Sequence, residues 1–133
     1  MREILAYIAG IIDGEGSICI SRNGKTGYYM PKVYVGMTDK VVIDFLQTIF
    51  PSQMYSAKLP SGRIIWKWHT TYSNTVSFLE AIYEFLKAKK EQADVIFEFY
   101  SNRRYFHSGC RLTEEEKNRR KRLYEKLKKL HKQ

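Results

Sequence analysis

The chain has 133 residues, 44% of them hydrophobic and 14% aromatic, with a net charge of +9. That apolar content can build one core and excludes a disordered chain, and no apolar run reaches the roughly 18 residues of a membrane span. Cys19 and Cys110 are far apart, with no Cys/His cluster at zinc-ligand spacing, so a reduced, intracellular setting is predicted.

Residues 3–13, EILAYIAGIID, are apolar on nearly all sides and predict a buried helix. The segment ends in an acid and lacks a small-residue cleavage site, so it is not read as a signal peptide. Ala6, Gly10 and Gly14 recur every four residues and form one small-residue stripe, which suits close approach of a second helix backbone. The helix stops at Asp13-Gly14-Glu15-Gly16. Glycines commonly end helices, but two acids at this pole oppose the helix dipole.

Ile18 and Ile20, then Val33, Val35 and Met37, alternate with polar neighbours. This period of two predicts a strand pair, with Asn23-Gly24 and Gly27 supplying the turn and Pro31 near the start or edge of the second strand. A helix capped by Thr38 or Asp39 follows, with Val42, Phe45, Leu46 and Ile49 as its apolar face and Pro51 as its stop. A second hairpin turns at residues 60–62, but Ile64, Ile65, Trp66 and Trp68 leave the parity of residues 63–69 ambiguous. A further helix starts near Ser73 or Asn74 and carries Phe78, Leu79, Ile82, Phe85 and Leu86; residues 87–102 continue or restart it. Residues 103–112 read as a linker, and Thr113 with Glu116 forms a capping-box pattern opening a basic helix striped by Leu123, Leu127 and Leu130.

The charge is uneven. Residues 103–133 hold 12 Lys/Arg against 4 Asp/Glu, and residues 17–72 hold 7 against 2. A basic middle and tail predict an anionic polymer as partner. Four antiparallel strands with helices on one face would leave an open polar face carrying Arg22, Lys25, Lys32, Lys58, Arg63, Lys67 and His69, which can enter a DNA groove.

The stretch YIAGIIDGEGSI, residues 7–18, resembles the LAGLIDADG motif of homing endonucleases, with Ala9, Gly10, Ile12, Asp13 and Gly16 matching it. Residues 85–93, FLKAKKEQA, resemble the family's later FLxxKxxQA segment, and residues 37–40, MTDK, its junction after the second strand. The resemblance implies an α+β fold: a LAGLIDADG half-domain, αββαββα, with a four-stranded antiparallel sheet, helices on one face and a DNA-binding saddle on the other. It covers roughly residues 3–100, so residues 1–102 are expected to form the endonuclease domain; residues 103–133 are expected to be a basic linker and helix, within that domain or appended to contact DNA.

The implied activity is site-specific double-strand DNA cleavage by a homodimer on a near-palindromic site, with Mg2+ or Mn2+. Glu15 stands at the motif's metal-binding acid and Gly14 would add its backbone carbonyl; Asp13 is a further candidate metal ligand but is expected mainly to stabilise the turn. Lys89 aligns with a basic residue near the scissile phosphate and Asp39 with a position that orders water. The motif helices would pair through Ala6, Tyr7, Ala9, Gly10, Asp13 and Gly14. Ser21, Arg22, Asn23, Lys25, Lys32, Tyr34, Lys58, Arg63, Lys67 and His69 are the expected DNA contacts. The alternative is a non-cleaving relative, such as an intron RNA maturase or a regulator.

Overall fold

The computed structural model describes residues 1–71, 74–102 and 111–132. Helix α1 (Arg2–Glu15) leads into a hairpin of β1 (Gly16–Arg22) and β2 (Tyr29–Met37). Helix α2 (Lys40–Ile49) is followed by the hairpin of β3 (Gln53–Lys58) and β4 (Ile64–His69). Helices α3 (Thr75–Ile82), α4 (Lys90–Phe99) and α5 (Glu114–His131) complete the order. The strands form one antiparallel sheet in the order β1-β2-β4-β3. The predicted helix start at Ser73 and most of the predicted linker, residues 103–110, lie outside the described residues, as does Cys110. No helix among the described residues is long and apolar enough to cross a membrane.

Register decides which face each strand residue occupies. Ile18 pairs with Val33 and Ile20 with Pro31, and Val35 pairs with Trp68, so these side chains share the face under the helices. Trp68 is fully buried, in contact with Phe78 at 5.1 Å between ring centroids, and its Nε1–H donates to the Phe50 carbonyl at 3.2 Å. Trp66 and Trp68 therefore face the core, and Ile65, Lys67 and His69 face the opposite side. Helix α2 buries Ile43 and Leu46 completely, while Val42, Phe45 and Ile49 pack at the rim of the core.

The first turn differs from a two-residue Asn-Gly turn. The loop spans Asn23 to Tyr28; the Asn23 carboxamide oxygen accepts from the N–H groups of Lys25 and Thr26, and Gly27 takes the positive φ of 74°. The helix expected from Ser73 onward is broken. After α3 comes a 3-10 turn at Tyr83–Phe85, Leu86 is extended, and α4 restarts at Lys90. The intervening Lys87, Ala88 and Lys89 stand beside the end of α1, where their N–H groups are bound.

Helix α5 lies on the helix side of the sheet, against α4 and the first hairpin. Leu123 and Leu127 are buried in the common core, each contributing about 1.5–3 kcal/mol of apolar burial, and Tyr124 meets Tyr29 at 5.0 Å. The Thr113 side chain accepts from the Glu116 N–H, as the capping box predicts. The Glu116 side chain does not return to the cap; it is buried and binds Arg119 at 2.7 Å and Arg120 at 2.9 Å. Arg119 in turn donates to the carbonyls of Glu98 and Phe99, closing the C-terminal end of α4.

Candidate active site and nucleic-acid interface

The end of α1 is held by side chains from both directions. The Asp13 carboxylate accepts the N–H groups of Lys87 at 2.7 Å, Ala88 at 3.2 Å and Lys89 at 3.1 Å. The Lys89 ammonium donates to the carbonyls of Ile12 at 2.9 Å and Asp13 at 2.7 Å. These carbonyls belong to the last turn of α1, where the dipole is negative, so a lysine there offsets the charge of the two acids. Gly16 turns the chain into β1. A Cβ at Gly16 would sit 2.8 Å from Ile12 Cα and 3.0 Å from its carbonyl oxygen, so only glycine fits against the helix end.

Glu15 is the last residue of α1 and is exposed, and its carboxylate has no hydrogen bond or ion pair among the described residues. Asp13 is thus consumed by the fold, while Glu15 is left exposed. No group of three or more His, Cys, Asp or Glu residues among the described residues could hold a metal within one chain. A Mg2+ ion needs only one or two protein carboxylates, completing its shell with carbonyl, water and phosphate oxygens. The free Glu15 carboxylate, next to exposed Gly14, is compatible with such a site.

The outer surface of α1 is bare. Ala6, Gly10 and Gly14 are exposed, and among the described residues a Cβ at Gly10 or Gly14 would meet nothing within 4 Å. Tyr7 borders this stripe, 52% exposed and edge-on to Phe45 at 5.5 Å. Ala9 is fully buried on the inner side and so leaves the set of expected interface residues, and Asp13 is occupied by Lys87–Lys89.

The open sheet face carries Ser21, Lys32, Tyr34, Lys67 and His69 together with Cys19, Tyr55 and Ile65, which register places among them. Tyr34 reaches along its own strand over Gly36, where a Cβ would meet the phenol oxygen at 2.6 Å. Lys67 lies 5.7 Å over the Tyr55 ring, which meets His69 edge-on at 5.9 Å. The His69 Nδ1 is 2.8 Å from the Thr70 carbonyl; since a carbonyl only accepts, Nδ1 is the donor in this contact. Burial pushes the Cys19 thiol above its usual range, against the pull of neighbouring Lys32. Arg22 and Lys58 fall on the parity of the helix side, paired with Tyr29 and Ile64, and so leave the open face. Asn23 and Lys25 stand in the first loop, and Arg63 in the second, where it donates to the Thr38 hydroxyl at 3.1 Å. Asp39 is the exposed N-cap of α2 without a side-chain cap bond.

No family model matches the sequence, and no curated protein matches it. Solved structures do match. The homing endonuclease I-CvuI bound to DNA superposes with a TM-score of 0.73 at 17% identity, over 97% of this chain and 82% of that one. An archaeal intron-encoded homing endonuclease complexed with DNA gives 0.76 at 18% identity, over 97% and 84%. This chain has the LAGLIDADG fold. The DNA-bound LAGLIDADG endonuclease I-GzeII gives 0.64 at 14% identity, covering 90% of this chain but 42% of that longer one. In the LAGLIDADG fold found here, αββαββα, the motif helix is α1, and the bare stripe, the Gly16 contact and the free Glu15 all lie on it.

Proposed function

We propose that this chain is a divalent-metal-dependent, site-specific DNA endonuclease that acts as a homodimer. The observation carrying the proposal is Glu15: an exposed, unpartnered carboxylate at the negative pole of a helix whose outer stripe has nothing packed on it. One chain offers one such acid, and two DNA strands must be cut. Pairing α1 with a second copy through Ala6, Tyr7, Gly10 and Gly14 would bring two Glu15 residues together on a twofold axis. A twofold dimer reads a near-palindromic site, each sheet lying over one half.

In this scheme Glu15 and the Gly14 carbonyl would hold Mg2+ or Mn2+, which when bound would supply Lewis-acid stabilisation of the phosphate and an activated water. Asp39 is free to orient water from the start of α2. Lys89 has three N–H donors, and two are taken by Ile12 and Asp13, so one remains for a phosphate oxygen. On the open face, Ser21, Lys32, Tyr34, Lys67 and His69 are placed for base and backbone contacts, with Tyr55 and Cys19 added to the expected set and Asn23, Lys25 and Arg63 at the loops.

The testing experiment selects bound sites from a randomised DNA library and then assays their cleavage with Mg2+, repeated with Glu15→Gln. Cleavage by the wild type and retained binding without cleavage by the variant are expected; binding by the wild type without cleavage on its selected site would refute nuclease action. A second reading, a non-cleaving RNA-binding relative, is favoured by α5. Its exposed side carries Lys117, Lys121, Arg122, Lys126, Lys128 and Lys129 on the helix side of the sheet, away from the open face.

A further inference from the structure

We infer that Asp13 and Lys89 form a reciprocal clasp that fixes the end of α1 to the start of α4, and that Lys89 thereby acts as a positioning residue for Glu15. Each residue serves the other's element. Asp13, from α1, takes three backbone donors of Lys87–Lys89, a segment outside any helix or strand whose N–H groups have no ladder partner. Lys89, the N-cap residue of α4, donates to two carbonyls in the last turn of α1, sharing that of Ile12 with the Gly16 N–H. The two residues are 76 positions apart in sequence, so five hydrogen bonds close a long loop at one joint. Glu15 follows two residues after Asp13 and is locked on its other side by the close Gly16–Ile12 contact. Its carboxylate is free, while the backbone carrying it is held from both ends.

The clasp separates two roles for Lys89. A lysine acting only on a phosphate would be loose until DNA arrives. A lysine in the clasp is bonded in the DNA-free protein, and its loss frees the Lys87–Lys89 segment as well as the helix end. The consequence for metal binding rests on reading Glu15 as a metal ligand, but the clasp itself does not.

The test is NMR on the full chain without DNA. The wild type is expected to show a slowly exchanging Lys89 ammonium with couplings across its hydrogen bonds to the Ile12 and Asp13 carbonyls; a rapidly exchanging, uncoupled ammonium would overturn the clasp. Lys89→Met should cost about tenfold in hydrogen-exchange protection at the Lys87 and Ala88 amides, although the lysine side chain does not touch them. Lys89→Arg, which keeps donors for the carbonyls, should restore most of it. Unchanged protection in Lys89→Met would exclude Lys89 from the joint. Calcium titration followed at the Glu15 carboxyl should weaken about tenfold in Lys89→Met and recover in Lys89→Arg; equal calcium response in all three would overturn positioning. A wild type with no calcium response at Glu15 would overturn the metal reading alone and leave the clasp standing on the exchange data.

Discussion

Substituting Gly10 should move fold stability and self-association in opposite directions. Gly10 is in the middle of α1 and is exposed, with open space where a Cβ would go. Nothing among the described residues explains a glycine there, and alanine is favoured over glycine in a helix interior by about 1 kcal/mol. Gly10→Ala should therefore stabilise the isolated fold and raise its Tm by about 3–6 °C at low protein concentration. If α1 packs against a second copy at this stripe, the added methyl separates the two backbones. Gly10→Leu separates them further, while it too fits the bare surface of one chain. Close small-residue packing tolerates little insertion, and overpacking costs about 1–3 kcal/mol, here felt at both copies of the residue. Sedimentation equilibrium should show dimer association weakened at least about tenfold in Gly10→Ala, with Gly10→Leu monomeric but folded. A Gly10→Leu protein that remains dimeric would refute pairing through this stripe. A Gly10→Ala protein less stable as a monomer would refute the reading of Gly10 as unpacked within the chain.

Gly16 is the opposite case: its Cβ would fall 2.8 Å from backbone rather than into open space, so Gly16→Ala should destabilise the fold by about 2–3 kcal/mol in chemical denaturation, with a fall in Tm. Burial pushes the Glu116 carboxyl up, but hydrogen bonds from Arg119 and Arg120 outweigh it and hold the group below its ordinary 4.5. The folded value is depressed, so this contribution is present above about pH 4.5 and is lost as pH falls through the folded value; a urea-denaturation series against pH should show it, and Glu116→Gln should lack that component. Leu127→Ala, in the buried stripe of α5, should cost about 2–5 kcal/mol, which distinguishes a helix packed into the core from a detached basic arm.

Much of the architecture was legible because its signals are local. Ile18, Ile20, Val33 and Val35 alternate in the sequence as they do across the register, and Thr113–Glu116 announces the start of α5. The second hairpin was not legible in the same way: Ile64, Ile65, Trp66 and Trp68 are all apolar, and only the pairing of Val35 with Trp68 sets their faces. Ala9 was expected at the helix pairing through the resemblance alone; α1 is apolar nearly all round, so periodicity could not show that this residue faces inward. The joint at Lys87–Lys89 was invisible for a different reason. Asp13 binds backbone N–H groups, which any sequence supplies, and the break in the helix that exposes them carries no glycine or proline. Tyr55 and Cys19 could have been found from strand parity once the neighbour of each strand was known. In α5, high charge concealed that Glu116 and Arg120 are interior while Leu123 and Leu127 complete the core.

The central claim is that Glu15 is presented for metal-assisted cleavage while Asp13 is spent on the fold. The most direct measurement compares Glu15→Gln with wild type on a selected DNA site in Mg2+. The account predicts unchanged Tm, retained site binding and loss of cleavage in the variant. Cleavage at the wild-type rate by a folded Glu15→Gln protein would contradict it.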